Sequence, residues 1–112
     1  MEEGSSVVLP TLNSAQQAQE MARAIVEARL AACVQIEAIR SVYCWKGEVQ
    51  SEPEWRLTIK TRASRYAELE RYISEHHSYD TPEIVRMELA GGSREYLAWV
   101  AESVENGRAG GG

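Results

Sequence analysis

Cysteine is scarce in this 112-residue chain: there are two, Cys33 and Cys44, with no C-x-x-C spacing between them. That argues against a disulfide framework and against zinc or dithiol chemistry. Both thiols are expected to be free and to pack as small buried hydrophobes. Basic charge is also short, with Lys+Arg 12 against Asp+Glu 17 and a formal net charge of -5. The basic residues are scattered along the chain, so nucleic acid is disfavoured as a partner. No apolar run has the length of a membrane span. The start "MEEGSSVVLP" lacks the cationic head and long apolar stretch of a secretory signal. The expected setting is therefore the cytoplasm, with no membrane partner.

What is present describes an ordinary globular chain. At 44% hydrophobic and 26% charged residues, it has enough apolar material for one core and too much for a disordered segment. Residues 1–106 are expected to form a single domain, and the glycine-rich 107–112 a flexible tail.

The pattern of apolar residues sets out the elements. Val7 to Leu9 reads as a short buried strand that stops or bends at Pro10, which cannot donate to a ladder. Asn13 with Gln16 three residues on has the spacing of a capping box. After it, Ala18, Met21, Ala22, Ile25 and Val26 recur at helical steps up to about Leu30. From Cys33 the period becomes two, through Val34, Ile36 and Ala38. The phase then shifts to Ser41, Tyr43 and Trp45, and a bulge near Ala38 would explain the slip.

Lys46-Gly47 has the chemistry of a hairpin turn, with the return strand beginning at Glu48. The stretch "SEPE" reads as a break before a clear strand, in which Trp55, Leu57 and Ile59 alternate with Arg56, Thr58 and Lys60. A second helix with Tyr66, Leu69, Tyr72 and Ile73 on its apolar side runs out at the histidines and is ended by Thr81-Pro82. Val85, Met87 and Leu89 make a last strand, and a third helix should bury Tyr96, Trp99, Val100 and Val104. The fold class is α+β. The order fits a ferredoxin-like βαββαβ sandwich, one antiparallel sheet with helices on one face, an extended β hairpin and an added C-terminal helix.

The adjacent imidazoles of His76 and His77 are the natural candidates for a transition metal, since imidazole suits copper, nickel and zinc. Successive residues on a helix do not face one another, so they share an ion only if the helix has ended or a second chain contributes. The same segment, "ISEHHSYDTPEIV", also reads as a plain passage from helix to strand. On that reading His76 is a solvated helix-end cation, Tyr79 covers the helix end, and Lys60 pairs with Glu83 on a neighbouring strand.

Five motifs occur in order: R-L-A-A-C-V (29–34), S-x-Y-x-W-x-G (41–47), I-K-T (59–61), H-x-Y-x-x-P-E (77–83) and Y-L-x-W (96–99). Together they resemble the CutA divalent-cation tolerance family, and the likeness runs from Val7 to about Val104. The resemblance implies a homotrimer in which long hairpins extend the sheets of neighbouring subunits. It also implies an inter-subunit cleft holding Cys33, Trp45, Lys60, His77, Tyr79 and Glu83, and a divalent metal ion, Cu2+ among the candidates, at His76 and His77. Copper binding in some relatives is attributed to the paired histidines together with a first-strand cysteine. Pro10 stands at that place here, and Ser78 stands where most relatives carry proline.

No nucleophile, base and orienting group can be ordered from the sequence, so no catalytic residue is assigned and an enzyme is not expected. The expected function is tolerance of divalent cations by a metal-binding trimer. A PII-like trimer that binds a small ligand, and a purely structural trimer, are the alternatives by analogy of fold.

Overall fold

A computed structural model describes residues 4–105; the expected tail at 107–112 lies outside the described residues. The elements are β1 (Ser5–Val8), β2 (Thr11–Leu12), α1 (Ala15–Glu27), β3 (Cys33–Trp45), β4 (Glu48–Arg62), α2 (Tyr66–His76), β5 (Arg86–Glu88) and α3 (Arg94–Val104). This is the expected α+β order with its added helix. All pairings are antiparallel: β4 is flanked by β3 on one side and by β1 and β2 on the other, and β5 pairs with the free side of β1.

β1 and β2 are one strand interrupted by proline. Val8 lies opposite Ile59 and Thr11 opposite Arg56, so the register against β4 is unchanged across the gap. The Leu57 N–H still donates to the Pro10 carbonyl at 3.0 Å. Proline has no N–H to return that bond, so the ladder breaks locally without bending away.

α1 is capped by Ser14, whose Oγ accepts from the Gln17 N–H at 3.2 Å; the expected cap at Asn13 is one residue too early. Its inward stripe, Ala18, Met21 and Ile25, meets Leu69 and Ile73 of α2 and Val8, Leu12, Leu57 and Ile59 of the sheet. Side chains alternate across a pleated strand, so Lys60 leaves the sheet on the side opposite Ile59. There its Nζ lies 5.6 Å from the Tyr96 ring, which places α3 on the other face from α1 and α2. The expectation of helices on one face holds for two of the three. α3 buries Val100 and Val104, while Tyr96 and Trp99 stay largely exposed.

β3 and β4 form one uninterrupted ribbon, from Cys33 opposite Lys60 to Trp45 opposite Glu48. There is no bulge at Ala38 and no break at Pro53, which lies opposite Arg40. The apolar pattern changes phase because the ribbon leaves the core, so what buries each face changes while the pleat does not. Beyond Trp55 only β3 pairs with β4 among the described residues. That stretch is therefore a free edge, where proline's missing donor is tolerated. Lys46 (φ 53) and Gly47 (φ 82) are both left-handed, the geometry of a two-residue hairpin turn whose twist matches the strands.

α2 stops at His76 and His77 is already extended (φ -96, ψ 146), so the helix runs out at the histidines as expected, with Pro82 five residues beyond His77. The last strand is shorter than expected, three residues. Its Met87 and the preceding Val85 are exposed.

Candidate functional site

The two histidines sit on opposite sides of a helix end, and that divides their chemistry. His76 closes α2 and stacks on Tyr72, with ring centroids 4.0 Å apart. Its Nδ1 lies 2.8 Å from the Tyr72 carbonyl. A carbonyl only accepts, so Nδ1 carries the proton and the neutral ring keeps its lone pair on Nε2. Nε2 has no hydrogen-bond partner among the described residues.

His77 is part-buried, and both of its nitrogens are engaged. Nε2 donates to the Thr11 carbonyl at 2.6 Å, and Nδ1 accepts the Tyr79 N–H at 3.1 Å. These partners fix one neutral tautomer. Both rings border a groove of about 560 Å³ between α1 and α2, with Leu12 and Met21 at its base and Glu20 and Glu75 beside them. No group of three or more His, Cys, Asp or Glu that could hold a metal occurs among the described residues.

Tyr79 is tied to the hairpin. Its hydroxyl donates to Glu54 Oε2 at 2.9 Å, and Ser41 Oγ donates to Glu54 Oε1 at 2.6 Å. Glu54 is buried, 8% exposed. Burial of the phenol, reinforced by its bond to the Glu54 carboxylate, pushes the Tyr79 pKa up to about 12. Glu54, Ser41 and Thr11 are the functional neighbours that sequence reasoning misses. Glu54 lies inside the stretch taken as a break, and nothing in the local spelling distinguishes it from exposed Glu52.

The residues expected at the cleft fall into separate places within one chain. Cys33 lies opposite Lys60 on one face of the sheet, and Lys60 Nζ donates to Gln35 Oε1 at 2.9 Å. Lys60 and Glu83 are not on neighbouring strands, since β1 separates β4 from the sheet edge that Glu83 precedes; Glu83 is exposed. Trp45 stands at the ribbon tip, 60% exposed, with the Lys46 ammonium 5.7 Å from its ring. Twelve residues of extended chain separate it from Cys33, about 40 Å at the usual rise. Cys33 is half-buried and Cys44 exposed, so the second thiol does not have the buried setting expected of it.

Residues 6–103 match the family model "CutA1 divalent ion tolerance protein". The chain is 43% identical over 98 residues to the divalent-cation tolerance protein CutA of Thermus thermophilus, covering 87% of this chain and 95% of the relative. It is 42% identical over 103 residues to the chloroplastic protein CutA of Arabidopsis thaliana, covering 91% of this chain but only 57% of that longer relative. Among solved structures, CutA1 from Oryza sativa superposes with a TM-score of 0.89 at 37% identity, covering 93% of this chain and 96% of that one. The periplasmic divalent cation tolerance protein CutA from Archaeoglobus fulgidus gives 0.88 at 34% identity, covering 90% and 99%.

Proposed function

From the premise that this chain belongs to the CutA1 divalent ion tolerance protein family, we propose that it acts in tolerance of divalent cations. It does so as a cytoplasmic, non-catalytic homotrimer that binds ions such as Cu2+ at the end of α2. The observation that carries the assembly is the uncovered ribbon. A two-stranded ribbon is marginal alone in water, and this one exposes Val42, Trp45 and Val49 at 66%, 60% and 77%. Another copy laid along its open edge would pair the free backbone groups and cover those side chains.

For the ion, the donor set suits a weak and open site. His76 supplies one available imidazole nitrogen, and Glu20 and Glu75 border the same groove. No thiolate joins them: Pro10 has no ligand, and both cysteines lie in β3. A closed copper site does not fit these residues. His76 would hold the ion through Nε2, and His77 would join only by giving up a bond to Thr11 or Tyr79.

Calorimetric titration with Cu2+ of the native protein, His76→Ala and His77→Ala tests this. Loss of binding in His76→Ala is expected, and unchanged binding there rejects the site. The apolar base of the α1–α2 groove favours a second reading, a small-ligand trimer of PII type. A melting temperature raised by nucleotides or small acids, with no response to metal, would support it.

A further inference from the structure

Glu54 is a carboxylate taken out of water in a stretch of ribbon whose neighbours Glu52 and Pro53 are exposed. Burying an acid is costly unless its oxygens are hydrogen-bonded. Both are, by Ser41 across the ribbon and by Tyr79 from 25 residues away. The path continues without a gap. The Tyr79 N–H donates to His77 Nδ1, and His77 Nε2 donates to the Thr11 carbonyl. Three parts of the chain that do not adjoin in sequence, the β3–β4 hairpin, the 77–79 segment and β2, are thereby joined through one carboxylate and one imidazole.

Residues 77–85 contain no helix or strand, and Ser78, Asp80, Thr81 and Glu83 are exposed. At the far end the Leu9 N–H bonds the Val85 carbonyl. At the near end the fixed points are the His77 ring and the Tyr79 phenol, and the phenol is held by Glu54. We infer that Glu54 is a positioning residue. Its carboxylate, at the root of the hairpin, sets the place of Tyr79 and through it the Tyr79 N–H bond that orients the His77 ring, so the hairpin orders the histidine segment.

This divides the histidine pair: His77 is a structural key turned by the ribbon, and His76 is the ring left free to bind. The inference rests on the proposed function only in treating the ribbon as the assembling element. The hydrogen-bonded path itself lies within one chain.

The test reads the Tyr79 amide by NMR hydrogen exchange, together with the ¹⁵N shifts of the His77 ring at one fixed pH. The variants are Tyr79→Phe, Glu54→Ala, the two combined, and Glu54→Gln. Tyr79→Phe deletes one hydroxyl and keeps the ring, so it reports even if Glu54→Ala fails to fold. Each disruptive change is expected to speed Tyr79 amide exchange about five- to tenfold, the consequence of losing one ordinary hydrogen bond. The His77 Nδ1 shift is expected to move as that nitrogen loses the Tyr79 N–H, while Nε2 stays protonated against the Thr11 carbonyl. The double variant is expected to go no further than either single one, because both cut the same path. Glu54→Gln is expected to keep most of the protection, since its amide oxygen accepts from Tyr79 and its amide nitrogen donates to Ser41. Native exchange and native ring shifts in Tyr79→Phe, or strictly additive effects in the double variant, would overturn the inference. Chain mass measured on the same samples reports separately on the trimer.

Discussion

The root of the sheet and the outer half of the ribbon are built from the same two strands and have opposite surroundings. At the root, Leu57 and Ile59 of β4 are fully buried between the strands and the α1 and α2 helices. Ten residues before Ile59 on the same face of the strand, Val49 is 77% exposed, with no helix above it among the described residues. The root carries its own stability. The outer ribbon has backbone pairing and good turn chemistry but no second layer, and a sheet without a second layer is not a stable solution in water. The contrast teaches that stability comes from one length of the hairpin and that the proposed assembly would use the other, with Glu54 at the boundary between them.

The largest effect should come from the root. Ile59→Ala removes a fully buried side chain and is expected to cost about 2–5 kcal/mol, read as a lower urea midpoint at unchanged slope. A loss under about 1 kcal/mol would mean that the root is not the self-sufficient half.

The histidine segment comes next. His77→Ala leaves the Thr11 carbonyl and the Tyr79 N–H without their partner and should cost about 1–3 kcal/mol. His76→Ala lies on the surface and should stay within about 0.5 kcal/mol in the absence of metal. Equal costs for the two would erase the division between them.

The boundary gives a smaller effect with a pH signature. Tyr79 has its pKa raised to about 12, so the fold favours the neutral phenol. That contribution is full below the unfolded phenol value of about 10 and is lost as pH climbs from there toward 12. Tyr79→Phe should cost about 1 kcal/mol at neutral pH and remove this part of the alkaline loss. An unchanged alkaline profile in the variant would place the ionising group elsewhere.

Much of this fold is legible in the residues, for identifiable reasons. Gly47 spells the turn because glycine takes a positive φ without strain, and the Trp55 to Lys60 alternation spells a strand because one face meets helices. Those signals are local. The misread features depend on partners far away in the chain. Pro53 sits in a continuous strand because its outer edge is free, which the stretch "SEPE" cannot reveal. The phase change after Ala38 marks where the core ends, and from sequence it mimics a bulge. Glu54 is buried because Tyr79 reaches it, and no spacing in β4 announces that. His77 likewise looks as available as His76 until Thr11 is found against its ring.

The central claim is that the outer ribbon is an interface. Sedimentation equilibrium at micromolar concentration, on the native chain and on Val49→Asp, tests it most directly. Three chain masses for the native protein, falling toward one with the fold retained in the variant, is the expected result. A well-folded native protein of a single chain mass would contradict it.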